Sequence, residues 1–306
     1  MTARHLLIVN PRSAGGSTGR RWQEVERQLR DRLPPFDIAF TNRPRHGTCL
    51  AADAVGRYEV VVAVGGDGTV DEVINGLVDE TGAVRPDVAA GFIPLGTGAD
   101  FVRSLGIPRG LEQAAAVIAR GQRREIDVGR ACFRAFDGSR AVRYFVNEAE
   151  AGLGALVCEM VNRSSKRFGG AATYLPAIVT AMLRYRARPV SFVIDGRPPE
   201  TIMLDNMWIA NGSYSGGGIR SAPRAELDDG LLDLVRVVHA RPWQRLRGLL
   251  KLRSGAFVEL PQVDYQAVRC VEASAETAVP VEVGGEPVGT LPATFDLLPA
   301  RLPVIA

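Results

Sequence analysis

Cysteine and histidine are scarce in this chain. Its 306 residues include four cysteines (Cys49, Cys132, Cys158, Cys270) and three histidines (His5, His46, His239). No two cysteines form a CxxC pair and no histidines form HExxH, so neither a zinc site nor a disulfide framework is expected. The cysteines are expected as buried, reduced thiols of a cytoplasmic protein. A histidine-based triad lacks its setting, because residues 212–216 (GSYSG) put Tyr214 where a nucleophile elbow needs serine. Long apolar runs are also missing. Nothing approaches ~18 consecutive apolar residues, so no transmembrane helix is expected. The N-terminus has neither a long apolar stretch nor a small-residue cleavage site and reads as a strand rather than a signal peptide. Charge of one sign is absent too. Lys plus Arg total 37 against 34 for Asp plus Glu, a net charge of +3, which makes no case for a nucleic-acid partner.

What is present is an ordinary globular composition, 46% hydrophobic and 23% charged, long enough for about two domains at roughly 150 residues each. In the first 120 or so residues, short apolar runs alternate with helical spacing. Strands are predicted at 5–9, 36–40, 60–64 and 88–93, and helices at 19–33, 47–56, 71–78 and 111–119. Residues 60–64 (VVVAV) form the continuous apolar run of a strand buried on both faces. Alternating β and α with short turns implies a parallel, helix-covered sheet. From about residue 126 strand-like stretches dominate, at 142–149, 190–195, 202–210, 231–238, 263–273 and 279–283, interrupted by helical candidates at 171–186 and 242–254. A boundary near 128 and a second, antiparallel domain follow. With no low-complexity linker, the two domains are expected to pack together around a ligand cleft.

The strongest local motif is Gly65-Gly66-Asp67-Gly68-Thr69, between the buried strand and a helix. Glycines let a backbone approach a ligand closely, and a helix start offers N–H groups and a positive dipole end to phosphate. A plain capped turn is the alternative. The motif is neither a Walker A sequence nor GxGxxG. Three more loops follow strands of the same sheet: Asn10-Pro11-Arg12-Ser13-Ala14-Gly15-Gly16, the loop at Thr41, and residues 94–101 (PLGTGADF) with Thr97 and Asp100. Loops after parallel strands gather at the carboxyl edge, where ligands bind. In the second half, a glycine cluster (211–218) runs into an acidic turn with Glu226, Asp228, Asp229 and Leu231. That turn reads either as a divalent-cation loop or as a simple DG hairpin. Residues 283–289 (VGGEPVG) place Glu286 in a glycine-rich turn.

Taken in order, NPRSAGG, GGDGTVDEVINGL, PLGTGADFVRSLGIP, GGGIRSAPRAELDDGLLDLV and GGEPVG resemble the diacylglycerol kinase catalytic family, in particular the bacterial soluble lipid kinases. The resemblance runs over nearly the whole chain. It implies an α/β nucleotide-binding domain (1–128, with 295–306 returning to it) and a β-sandwich lipid-acceptor domain (129–294). The implied reaction is ATP-dependent phosphorylation of a lipid alcohol such as diacylglycerol, at the inner membrane surface. By the same resemblance, Asn10, Pro11, Arg12, Ser13, Ala14, Thr41, Gly66, Asp67, Gly68, Thr69, Val70, Asp71, Glu72 and Thr97 fall on ATP-binding positions. Asp229 falls on the side-chain ligand of a structural Mg²⁺, and Glu226 and Leu231 on backbone-oxygen ligands. Glu286 falls on the proton acceptor, and Asp67 and Asp100 are expected to order the metal's water shell. A homodimer fits some relatives. The chain departs from the family pattern where Gly284 stands for an Asp, Ala99 for an Asn and Asp71 for an Asn. Two competing readings stay open. One is a non-catalytic nucleotide- or lipid-binding protein, favoured by Gly284. The other is NAD kinase, which shares the GGDGT turn but is disfavoured by the GGEPVG ending. The basic stretches at 163–167, 184–188 and 241–253 are either lipid-contacting or solvated.

Overall fold

The structure, a computed structural model, describes residues 5–79, 81–168, 180–182 and 184–306, without the side chains of 162–168 and of Pro242. The chain divides into two compact units, Met1–Val128 with Leu298–Ala306, and Gly129–Leu297. Most of the helix expected at 171–186, and the side chains expected as basic at 163–167, lie outside the described residues.

The first unit begins β1 (His5–Val9), α1 (Ser13–Arg20), α2 (Trp22–Arg30), β2 (Phe36–Phe40), α3 (His46–Ala54), β3 (Val60–Gly65) and α4 (Asp67–Gly76). It continues through β4 (Ala89–Pro94), α5 (Asp100–Ser104), α6 (Leu111–Arg120) and β5 (Arg123–Ile126). The strands are ordered β2-β1-β3-β4, all parallel, followed by the C-terminal strand and β5. Every residue of β1, β3 and β4 is buried, as their unbroken apolar runs require of a sheet covered on both faces.

Three boundaries move from expectation. The helix expected at 19–33 is two helices that meet at Arg21, because the chain wraps after β1 before the amphipathic Trp22-Val25-Leu29 stripe turns inward. Helix α4 starts at Asp67 rather than 71, so Asp67-Gly68-Thr69 form the helix's first turn, with Gly65 ending β3 and Gly66 as the N-cap. The return of the C-terminus begins at Leu298, not 295. Phe295 pairs with Ala131 and Val271 in the second unit, and the Leu298 N–H then donates to the Val128 carbonyl at 2.8 Å.

The second unit comprises β6 (Gly129–Ala135), β7 (Arg140–Phe145), β8 (Glu148–Gly152), α7 (Leu153–Phe168), β9 (Arg188–Ile194), β10 (Glu200–Ala210) and β11 (Leu232–Val238). Next come α8 (Pro242–Lys251), β12 (Val263–Val268), β13 (Cys270–Ser274), β14 (Pro280–Val283) and β15 (Glu286–Leu297). The strands pair antiparallel in the order β12-β11-β10-β8-β14-β15-β13-β9, with β6 and β7 attached at β15. Strand β9 also pairs with β10, so six of the strands close a ring. The long β10 makes this possible. Its first half pairs with β9 and its second with β8, and a bulge between Leu204 and Asn206 bends it between the two. Phe145, Phe192, Phe295, Met207 and Ile209 fill the interior. The single strand expected at 142–149 is two, β7 and β8, and that at 263–273 is β12 and β13. The last strand, β16 (Leu302–Ile305), runs parallel to β4 and antiparallel to β5 in the first sheet. Among the described residues, no helix is long and apolar enough to cross a membrane.

Candidate active site

The site of the first unit is built at the carboxyl edge of its parallel sheet. Residues Ala14, Gly15 and Gly16 all take the left-handed conformation (φ 50°, 63° and 81°) before α1 becomes regular. Only glycine adopts it without strain, so Ala14 marks a turn held for its shape. Asn10 anchors that turn. Its Oδ1 accepts the Arg12 N–H at 3.0 Å and its carbonyl accepts the Ser13 N–H at 3.2 Å and the Ser13 hydroxyl at 2.9 Å. The Ser13 Oγ also lies 2.6 Å from the Thr18 Oγ1, and the Pro11 carbonyl accepts the Gly19 N–H at 3.0 Å. The Asn10 amide donates to the Thr69 Oγ1 at 3.2 Å, which ties the first loop to the GGDGT helix.

Two of the carboxylates expected at the nucleotide site, Asp67 and Glu72, hold helix starts. Asp67 Oδ1 accepts the N–H groups of Asp100 (2.9 Å) and Phe101 (3.3 Å), so the first turn of α4 grips the start of α5. Asp100 is buried and pairs with Arg103 at 2.7 Å. Glu72 accepts the N–H groups of Arg45 (2.9 Å) and Gly47 (2.7 Å), which holds the start of α3. Val70 and Asp71 are buried on α4. Thr41 is buried, its N–H bonded to the Val9 carbonyl at 2.9 Å. The Thr97 carbonyl accepts the Arg109 guanidinium at 2.9 Å.

Two glycines of this edge do different work. A Cβ on Gly96 would collide with the Gly66 backbone, so position 96 must be glycine for the loops to pack. A Cβ on Gly68 would meet nothing within 4 Å. Glycine in a helix is less favourable than alanine by about 0.5–1 kcal/mol, and no packing within the chain requires it at 68. That open space lies over the first turn of α4, where helix N–H groups and the dipole favour an anion.

In the second unit, Val283 and Glu286 pair across a two-residue turn in which Gly284 and Gly285 both have positive φ (61° and 82°). This is the tight hairpin geometry that matches strand twist. Glu286 is half-exposed and its Oε2 accepts Arg143 Nη2 at 3.1 Å, from the largely buried Arg143 of β7. The turn has two further holds: the Gly284 N–H donates to the Glu148 carbonyl at 3.0 Å, and the Cys158 thiol donates to the Gly285 carbonyl at 2.9 Å.

Beneath the turn lies a carboxylate group that reading the sequence missed. Glu148 and Glu150 point to one face of β8, Glu282 of β14 stands directly across from Glu150, and all three are buried. Burial pushes Glu150 up to about 7, opposed by the Asn206 amide that donates to it at 2.6 Å. Burial and then the charges of Glu282, Glu150, Glu148 and Glu286 push the Cys158 thiol well up, so it stays a protonated donor. The period-two charges of NEAEAG within an apolar strand were the available signal. The cysteines form no disulfide and are not uniformly buried as expected. Cys49 is exposed on α3, off the face that buries Gly47, Ala51 and Ala54, and the other three are half-buried, Cys132 on the outward-alternating side of β6 between buried Ala131 and Phe133.

The acidic loop is not a tight hairpin, since more than twenty residues separate β10 from β11. Asp229 Oδ1 accepts the Leu231 N–H at 2.9 Å, and Asp229 and Glu226 are exposed. Asp233 nearby is pushed up by burial first, with the charges of Asp229 and Glu226 adding to it against a hydrogen bond from Tyr265.

Residues 4–131 match the family described as "Diacylglycerol kinase catalytic domain" and residues 147–306 the family "YegS C-terminal NAD kinase beta sandwich-like domain". A diacylglycerol kinase of Staphylococcus carnosus is 30% identical over 305 residues, 96% of this chain and 92% of that one. The chain belongs to the bacterial diacylglycerol kinase family. Within the family, a probable YegS-like lipid kinase of Chromohalobacter salexigens is 32% identical over 235 residues, 74% of this chain and 69% of that one. The diacylglycerol kinase of Bacillus subtilis is 29% identical over 303 residues, 95% and 92% of the two chains. The crystal structure of a diacylglycerol kinase from Bacillus anthracis superposes with a TM-score of 0.71 at 22% identity, covering 99% of this chain and 97% of that one, a likeness of fold.

At 226–231 the carboxylates of Glu226 and Asp229 are exposed, and Asp229 already accepts the Leu231 N–H. No group of three or more His, Cys, Asp or Glu side chains converges as a metal cage among the described residues. A hydrated Mg²⁺ needs only one or two carboxylates and keeps its waters, so the chemistry of this donor set is compatible with one.

Proposed function

We propose that this chain transfers the γ-phosphate of ATP to the hydroxyl of a membrane lipid alcohol, with diacylglycerol as the first candidate. The observation that carries the nucleotide half of this reading is Gly68: a helix-opening glycine over open space, on a helix whose Thr69 is tied to Asn10 at the head of the left-handed Ala14–Gly16 turn, suits phosphate. The family's lipid-kinase relatives support the acceptor half.

Phosphoryl transfer needs positioning and charge neutralisation more than covalent help. Asn10, Ser13, Ala14 and Thr69 shape the phosphate loops, Thr41 and Thr97 flank them, Asp67 and Glu72 hold the helix starts that fix their positions, and Asp100 opens α5 under Asp67's hold. Glu286 is the general base. It takes the lipid hydroxyl proton as that oxygen bonds to the γ-phosphorus and the bond to the β-phosphate oxygen breaks, leaving ADP. Arg143 orients its carboxylate. Mg²⁺, when bound, neutralises developing charge on phosphate oxygens, and a second, structural ion would be held by Asp229 with the carbonyls of Glu226 and Leu231. Catalysis takes place at the inner membrane surface, the enzyme docking from the cytoplasm; the cations at 184–188 and those at 241–253 other than the buried Arg245 are available to anionic lipid.

The test is ATP γ-phosphate transfer to diacylglycerol and other lipid alcohols in mixed micelles with Mg²⁺. Wild-type product that disappears in Glu286→Gln, with ATP affinity unchanged, is the expected result. Full turnover in Glu286→Gln would place the base elsewhere. Gly284 favours one second reading, a nucleotide- and lipid-binding protein without turnover. It predicts a silent wild type that gains activity in Gly284→Asp, a change that the left-handed φ at 284 admits because Asp tolerates that region.

A further inference from the structure

Helix α8 is inside out. At 100° per residue, Trp243, Leu246 and Leu250 share about 60° of arc. They are 59%, 56% and 79% exposed, among the most exposed large apolar side chains described. The inward side carries Arg245 instead. Its guanidinium bonds buried Asp205 through Nη2 (2.5 Å) and Nε (3.2 Å), and donates to the carbonyls of Met182 (2.9 Å) and Tyr185 (3.0 Å). Asp205 is the bulge residue of β10 and also accepts the Ala240 N–H at 2.7 Å, one residue before the segment that leads into the helix. Gly248 faces Leu260, and Leu252 packs on the cluster around Trp208 and Phe257. The helix is therefore moored by a buried ion pair, and its three largest outward side chains contribute nothing to the core.

The surroundings of the stripe are cationic. Arg247 is exposed and lies next to it on the wheel with Lys251, and exposed Arg241 and Arg253 bracket the helix. Four cations beside a tryptophan–leucine stripe complement one surface in particular, an anionic bilayer, where apolar side chains enter the acyl boundary, tryptophan sits at the headgroup level and Lys/Arg meet lipid phosphate.

We propose that α8 is an interfacial anchor, with Trp243, Leu246 and Leu250 inserted into an anionic lipid bilayer and Arg241, Arg247, Lys251 and Arg253 on its headgroups. The anchor deepens the lipid-kinase reading but does not depend on ATP or turnover, so the two fail separately.

The experiment uses the full chain without ATP and sucrose-loaded vesicles of phosphatidylcholine, alone or mixed with phosphatidylglycerol. Trp22 and Trp208 are buried, so a blue shift on vesicle addition reports Trp243. The expected result is co-sedimentation with the anionic vesicles only, a blue shift that is absent in Trp243→Phe, and quenching of wild-type fluorescence by bromine-labelled lipid. Leu246→Ser/Leu250→Ser weakens partitioning more than tenfold, and each of Arg247→Gln and Lys251→Gln weakens it about fivefold. These side chains face outward, so the variants keep the wild-type melting temperature. If a variant misfolds, bromine quenching of the wild type decides alone. Three outcomes overturn the proposal: no binding to anionic vesicles, salt-sensitive binding without a Trp243 shift or quenching, which is headgroup contact without insertion, or a vesicle-free dimer that Leu246→Ser/Leu250→Ser dissolves, which assigns the stripe to a second copy of the chain.

Discussion

Asp67 Oδ1 accepts the backbone N–H of Asp100 at 2.9 Å, and through it the GGDGT helix carries the start of α5. The two acids expected to share a metal's water are thus joined as a side chain and the backbone it caps. Asp67→Ala removes two charge-assisted hydrogen bonds from the α5 start and is expected to lower stability by about 2 kcal/mol. Asp67→Asn keeps an accepting oxygen and loses less than half as much. Urea unfolding of both variants measures the difference. Equal losses would mean that charge, not capping, is what Asp67 contributes.

Gly68 yields a prediction of opposite signs. No chain atom lies near the Cβ that alanine would add, and the position is helical. Gly68→Ala should therefore raise stability by about 0.5–1 kcal/mol. The same methyl group would occupy the proposed phosphate space, so ATP affinity by isothermal calorimetry should fall at least tenfold. Unchanged ATP affinity would remove Gly68 from the site.

Glu150 makes stability depend on pH. Burial raises its folded value to about 7 from an ordinary 4.5. The folded state therefore holds a proton that the unfolded chain releases. This contribution is fully present below the unfolded value and is lost as pH rises through 7. The groups facing it are Glu282 across the strand pair, Glu148 two residues along, the Asn206 amide and the Cys158 thiol. Glu150→Gln keeps an oxygen for Asn206 and should gain on the order of 2–3 kcal/mol at pH 8 with little change at pH 5. Unfolding midpoints across that range test it. A constant gain at all pH values would mean that packing, not titration, is responsible.

Removing one partner from the Asp205–Arg245 pair leaves an uncompensated buried charge. Both side chains are at least nine-tenths buried. Asp205→Ala should cost about 3–5 kcal/mol, read by urea unfolding, whereas Arg241→Gln on the exposed end of the same segment should fall within about 0.5 kcal/mol of wild type.

Much of this molecule was legible in the order of its residues. Unbroken apolar runs such as VVVAV can only be strands covered on both faces, so the α/β first unit and its strand positions followed from pattern. Glycine clusters after those strands marked the carboxyl edge, because turns that bring backbone to a ligand need residues without a Cβ. The family signature in five successive motifs pointed to the rest. Tertiary structure alone decided what the side chains at that edge do. Asp67 and Glu72 hold helix starts because loops distant in sequence put N–H groups within reach of their carboxylates. The carboxylate cluster exists only because β14 pairs with β8 in the register that sets Glu282 opposite Glu150. The outward face of α8 was equally hidden. Its leucines and arginines follow the spacing of any amphipathic helix, and only the Asp205 bulge, by drawing Arg245 inward, determines which side meets the surroundings. Local pattern is set by neighbours along the chain, whereas charge pairing and burial are set by neighbours across it.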